Sequence, residues 1–474
     1  MALMHPSVIW LYLAQFFPRN VLVALMTADY ATRAMLSEHV EASLQELYRE
    51  VELRFLHLED GTVQRLWRRA VADRVRMLSI GPYFVCDALD NNQRRPFSRT
   101  SRTVRALLVR FRNLEKYHIL WHERPTATLL RVAPTYDDST LSLASAFLAA
   151  PFSSAQFLRI LTVECSLDKA EHLFLPTIVL PRLEEFNLCI RDDHAGDLDA
   201  AGYIMVHHLA RFLNNTHRTL LSFSFETSLA ADFSPFFSAL GFFAHLSTFA
   251  LSIPTSDPHL GDPLALKGFL QMQGATLRQL SLRGFCTNKS RRTGMNGRWL
   301  SQCLTGITLS LHTLNVGTSF IPVDVVLLCV RQWADTLTAL DIVGEYLTHD
   351  AMEALLRELS DKRLESLTIA VKCLCPELVD RLAERLPGLT KLHFRVRFIS
   401  PRHLEAPKFD QGSRRYFGGS CGQTAQSERF CQEIATHRYE GWKLQDVGVW
   451  MFNKKLQYQG WCVDVIRGCI GQQQ

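Results

Sequence analysis

The twelve cysteines in this 474-residue chain include no C-x-x-C pair, and their irregular spacing gives no disulfide framework. Several lie among apolar neighbours, as in "NLCI" and "LLCV", where a thiol serves as a small buried hydrophobe. That usage predicts a reducing compartment, cytoplasmic or nuclear. Charge of one sign is also lacking. A net +5 gives no reason to expect nucleic acid or an anionic membrane as partner. The apolar run Trp10–Met26, "WLYLAQFFPRNVLVALM", spans only 17 residues, where a membrane helix needs about 20. Pro18, Arg19 and Asn20 interrupt it near the middle, and no basic segment precedes it as in a secretory signal. It reads as two short helices with a protein-facing surface.

Catalytic signatures are missing too. There is no P-loop, no G-x-S-x-G elbow, no H-E-x-x-H and no dinucleotide fingerprint. The acidic "DDHAGDLD" (192–199), "VHH" (206–208) and the basic "CTNKSRRTGMNGR" (286–298) read as solvated loops or a half-exposed helix face. "GGSCG" (418–422) reads as linker, and Cys375 of "CLC" as the residue before a helix. The expectation is a chain that is not an enzyme, with no catalytic residue, metal or cofactor.

What is present is a repeat. The pattern L-x-x-L-x-L, with apolar substitutes, occurs as "LEKYHI" (114), "LRILTV" (158), "LEEFNL" (183), "LLSFSF" (220) and "LSTFAL" (246). It continues as "LRQLSL" (277), "LHTLNV" (311), "LTALDI" (337), "LESLTI" (364) and "LTKLHF" (389). Successive starts lie 44, 25, 37, 26, 31, 34, 26, 27 and 25 residues apart, and five of these nine steps fall in the 25–27 range of a leucine-rich repeat. Strand alternation turns residues one, four and six of each match inward. Between matches, "THDAMEALLRELSD" and "CPELVDRLAERLPG" read as amphipathic helices. Thr348 is the N-cap of the first, and Pro376 opens the second. The asparagine or cysteine usual after the third leucine is mostly absent, so irregular stacking is expected.

The predicted fold is therefore α/β, an irregular right-handed leucine-rich-repeat solenoid with parallel strands on its concave face and helices on its convex face. Its outward strand positions include Glu164, Glu185, Glu226, Arg283, Asp341, Lys391, His393 and Arg395, with glutamates early and cations late. These are the candidate partner-binding residues.

With the array in hand, the N-terminus can be read. "HPSVIWLYLAQFFPRNVLVALMTADYATRAML" resembles an F-box, followed by "LYREVELRF" (47–55), which is similar to the segment joining fungal F-boxes to leucine-rich repeats. "VRMLSI" (75–80) and the terminal "YEGWKLQDVGVW" are similar to the same family. The resemblance implies a small all-α F-box-like region over 1–50 and a connecting segment with a first irregular repeat over 51–112. The repeat pattern itself gives the array over 113–400, and a Gly-, Ser- and Gln-rich stretch followed by large apolar residues gives a flexible loop with a C-terminal cap over 401–474. Pro6, Ile9, Leu13, Phe16, Leu22 and Leu25 would dock on a Skp-family linker of a cullin-based SCF-type ubiquitin ligase. The array would hold an unknown target protein, with no nucleic acid and no membrane as partner. His5 and Val8 stand where the family has leucine and an acidic residue. They favour the alternative, a repeat scaffold that binds a partner without ligase docking.

Overall fold

The computed structural model describes residues 49–53, 72–81, 97–121, 138–191, 198–229, 231–254, 261–285, 297–319, 321–400, 428–453, 455–458 and 460–470. The F-box-like stretch with Pro6, Ile9, Leu13, Phe16, Leu22 and Leu25, and the linker "GGSCG" (418–422), lie outside them. The chain divides into two compact units between Leu183 and Glu184.

In the first unit, β1 (Glu50–Leu53), β2 (Met77–Ile80), β3 (Lys116–Trp121) and β4 (Ile160–Ser166) pair in parallel and in sequence order. Helices α1 (Phe97–Leu108), α2 (Asp138–Leu148), α3 (Ala150–Ser154) and α4 (Leu167–Leu173) form the return segments.

The second unit continues the pattern through β5 (Glu185–Arg191), β6 (Ser222–Thr227), β7 (Thr248–Pro254), β8 (Gln279–Phe285) and β9 (Thr313–Gly317). Then come β10 (Ala339–Leu347), β11 (Ser366–Leu374), β12 (Lys391–Ile399) and β13 (Asp446–Asn453), each parallel to its predecessor. The return segments begin with α5 (Leu198–Ile204), which runs through a π-helical turn at Met205–Ala210 into α6 (Arg211–Asn214). That turn buries Met205 and Leu209 and leaves His207 and His208 half-exposed. After it come α7 (Ser234–Ala239), α8 (Pro263–Met272), α9 (Gly297–Leu304), α10 (Val323–Trp333), α11 (His349–Leu359) and α12 (Pro376–Arg385). This is an α/β leucine-rich-repeat fold.

The motif accounts for the packing. Residues one, four and six of all ten matches are at most 2% exposed, from Leu114, Tyr117 and Ile119 to Leu389, Leu392 and Phe394. One apolar row per strand position therefore fills the space beneath the sheet, and each repeat is buried only by its neighbours. Aromatic side chains fill it between β5 and β8, where Phe186 stacks on Phe223 at 6.0 Å and Phe223 meets Phe249 at 5.7 Å.

The backbone repeats as strictly as the side chains. In the second unit, the carbonyl at motif position two accepts the N–H groups of positions two and three in the next repeat, at 2.7–3.0 Å. Glu184, Leu221, Ser247, Arg278, His312, Thr338, Glu365 and Thr390 do this in turn. The last of these receives Gln445 and Asp446. "LQDVGV" (444–449) is therefore a further repeat, with Leu444, Val447 and Val449 buried. Val75, Leu78 and Ile80 of "VRMLSI" occupy the same positions on β2 and are fully buried.

Where the usual asparagine is missing, amide side chains from helix C-terminal ends join the repeats instead. Asn214 donates to Ala239 O and accepts from Gly241 N, both at 2.8 Å. Gln273 accepts from Phe243 N at 3.1 Å and donates to Gly241 O at 3.2 Å. Gln332 donates to Ile307 O at 2.6 Å and accepts from Gly306 N at 3.1 Å.

The two helices read from sequence carry the faces expected of them. Thr348 Oγ1 accepts from Ala351 N at 3.3 Å, and Met352, Leu355, Leu356 and Leu359 of α11 are buried. In α12, Pro376 stands at the N-terminus after Cys375, whose side chain makes no capping bond. At the far edge β14 (Lys455–Tyr458) pairs antiparallel with β13, and α13 (Gly460–Cys469) packs on it, burying Cys462, Val463 and Ile466. Side chains tie this segment back to the preceding repeat. His437 Nδ1 and the Tyr439 hydroxyl each lie 2.7 Å from Asp380 Oδ1, and Trp442 Nε1 donates to Leu386 O at 3.1 Å.

Candidate functional site

Motif positions three, five and seven face away from the core and are in register from strand to strand. In the second unit, position seven reads Cys189, Glu226, Ser252, Arg283, Gly317, Val343, Ala370, Arg395 and Trp450. Position five runs beside it from Asn187 to Gly448, through Ser281, Asn315, Asp341, Thr368 and His393.

These two rows build a site on β8–β13. Arg283 on β8 and Arg395 on β12 are exposed and four strands apart, roughly 19 Å at about 4.8 Å per strand. Between them Gly317 and Ala370 are buried and Val343 is half-buried, so the position-seven row is low between two guanidinium walls. A Cβ on Gly317 would meet the Arg283 side chain at 3.4 Å. Asp341 and Asn315 stand beside this row as register partners on β10 and β9. The Oδ1 atoms of both are buried, and no group among the described residues donates to either. Burial pushes the Asp341 carboxyl above its ordinary value, against the opposing charges of Arg395, Arg283 and His393.

The far wall is aromatic. Trp450 lies across Gly448, where a Cβ would come within 2.3 Å of the indole, so only glycine admits this placement. His393 meets the Trp450 ring edge-on at 5.0 Å, and its Nε2 is 3.2 Å from Asp446 Oδ2. Lys391 is exposed at the start of the same strand. Tryptophan and arginine, which stand together here, are residue types enriched at binding hot spots.

Five of the eight outward residues singled out in the sequence, Arg283, Asp341, Lys391, His393 and Arg395, fall on these strands. The glutamates fall elsewhere. Glu185 on β5 accepts from Asn187 Nδ2 at 2.7 Å, and Glu226 on β6 pairs with Arg191 at 3.2 Å. Glu164 belongs to the first unit, where it and Glu52 bear on His118. Burial is the larger effect there and lowers the His118 pKa. Sequence reasoning missed Asn315 as a buried acceptor and Trp450 as part of this face. "LQDVGV" matches the repeat and carried the signal for Trp450.

Seven of the nine described cysteines are buried. Burial pushes the Cys329 thiol up to about 12 and raises those of Cys303 and Cys462, which leaves them poor nucleophiles. Among the described residues no three side chains are grouped to hold a metal ion. No helix there is long and apolar enough to cross a membrane.

No family profile matches the chain, and no curated protein matches it. Among solved structures it is similar to one of a Rad7 and Elc1 complex in yeast, with 12% identity and a TM-score of 0.33 over 85% of this chain and 90% of that one. It is also similar to the leucine-rich-repeat-containing protein LegL7 from Legionella pneumophila, with 12% identity and a TM-score of 0.36 over 76% of this chain and 92% of that one. At these scores the fold assignment rests on this chain's own ladder of strands.

Proposed function

We propose that the chain is a non-catalytic substrate-recognition adaptor of an SCF-type ubiquitin ligase, acting in the cytoplasm or nucleus. The N-terminal region, through Pro6, Ile9, Leu13, Phe16, Leu22 and Leu25, docks on a Skp-family linker within a cullin-based complex. The β8–β13 face holds the target protein. The observation that carries partner recognition is the outward face of β8–β13, where exposed Arg283 and Arg395 stand with half-buried Trp450. Arginine and tryptophan are among the residue types enriched where partners bind most tightly. Ligase docking is supported by the F-box resemblance of residues 1–55.

The mechanism is proximity. Holding the target near a charged conjugating enzyme raises its effective concentration there, and the reactive cysteine belongs to that enzyme. This chain needs a shaped surface and no nucleophile.

The test is quantitative capture from cells under proteasome inhibition, comparing wild type with an Arg283→Glu/Arg395→Glu variant. The reading predicts a target enriched with the wild type and lost with the variant, while the linker stays bound to both. Equal recovery of every partner would remove the β8–β13 face from the account.

A further inference from the structure

A second concavity lies in the same unit, where the C-terminal ends of β10, β11 and β12 meet the first turns of α11 and α12. The register of β10 on β11 shifts between Ile342 and Leu347, and Gly344 within the shift has φ +117°. Beyond it Leu347 pairs with Val371, and both line a cavity of about 700 Å³. That volume lies within the range of ligand clefts, about 300–1,000 Å³. Met352, Leu378 and Phe398 supply more apolar wall. On the helix side, Arg381 Nη1 is 2.9 Å from His349 Nε2 and pairs with Glu353, which fixes α12 to α11.

The strand side is different. Lys372 lines the cavity, is exposed, and lies between the register pairs Val371–Val396 and Cys373–Phe398, which bracket Arg397 on β12. Arg395 and Arg397 lie two residues apart on β12, about 7 Å along an extended strand, and both are exposed. Asp350 and Glu377 line the helix side of the cavity, but among the described residues no carboxylate is within ion-pair distance of Lys372, Arg395 or Arg397, which stand at its strand side. Residues 401–427, which follow β12 in the sequence, carry four Lys or Arg against two Asp or Glu. Their charge has the same sign as the cluster, so charge complementarity points to a different, acidic occupant.

We propose that this cavity is a recognition pocket for an extended, acidic segment of a partner protein. One bulky apolar side chain enters between Leu347, Val371 and Phe398, and flanking carboxylates meet Lys372, Arg395 and Arg397. The proposal rests on the reading of the chain as a partner-binding repeat protein, and names the chemistry of what it binds.

The test pans a phage-displayed random peptide library on the full chain. A fluorescein-labelled copy of the strongest clone is then measured by polarisation. The selected peptides are expected to share a bulky apolar residue with acidic neighbours. Replacing that residue by alanine, or introducing Lys372→Glu/Arg397→Glu, is expected to weaken binding about tenfold or more. Arg218→Glu, at an exposed residue before β6 that does not line the cavity, is expected to leave it unchanged. Selection of peptides without that chemistry, or binding indifferent to the exposed double substitution, overturns the proposal. Co-purification of the Skp-family linker is scored on the same preparation. Its loss would count against the adaptor reading and leave the peptide result to be judged by itself.

Discussion

Asp341 and Gly448 show how single residues set the properties of this face. Burial favours the neutral form of the Asp341 acid. Above its ordinary value of 3.8 the folded chain therefore binds a proton more tightly than the unfolded chain. This group's contribution to stability falls as pH rises through that range and recovers on acidification. Asp341→Asn is accordingly expected to raise the melting temperature at pH 7, and the gain should shrink as the pH approaches about 4. Thermal melts of both chains at the two pH values check this. Gly448 acts sterically, because a Cβ would sit inside the Trp450 ring. Gly448→Ala is expected to displace the indole while the ladder survives, shifting the fluorescence difference between this variant and one that also carries Trp450→Phe. Gly344 is under a different constraint. Its positive φ makes Gly344→Ala cost about 1–2 kcal/mol in urea unfolding, before any clash with Ser319.

At the scale of elements, most of the architecture could be read in advance because one residue pattern determines both strand direction and burial. Matches as divergent as "LEKYHI" and "LLSFSF" placed the same three positions in the core. The cap at Thr348 and the apolar stripe of α11 were equally legible, since side-chain chemistry and spacing are local. The links between repeats were not. Gln273 is fully buried and bonds two backbone groups 30 and 32 residues away, a relation that no local pattern encodes. Gln273→Leu keeps the size but orphans an N–H and a carbonyl. It is expected to destabilise the unit by about 1–3 kcal/mol for each orphaned group, read from urea midpoints. The site was legible only in part for the same reason. Alternation identified Asp341, Arg283 and Arg395 as outward, whereas the burial of Asp341 and Asn315 depends on neighbours contributed by other repeats.

For the whole molecule, the proposed function joins two roles on one chain: a repeat array whose outward strand face would receive a target, and an N-terminal region that would deliver it to a ligase. The array explains why stability is distributed. Each repeat buries its apolar row against adjacent ones, so a defect in one repeat weakens its neighbours. It also explains why charge reversal at exposed Arg283 or Arg395 should spare folding while removing a partner. The claim that separates an adaptor from a scaffold is docking through Ile9 and Leu13. The direct measurement is co-expression of the full chain with a Skp-family linker, followed by size-exclusion chromatography of wild type and of Ile9→Asp/Leu13→Asp. The account predicts that wild type co-elutes with the linker and that the double substitution abolishes the complex while leaving the melting temperature of the array unchanged. Wild-type chain eluting without linker, or a complex indifferent to the two substitutions, would contradict it.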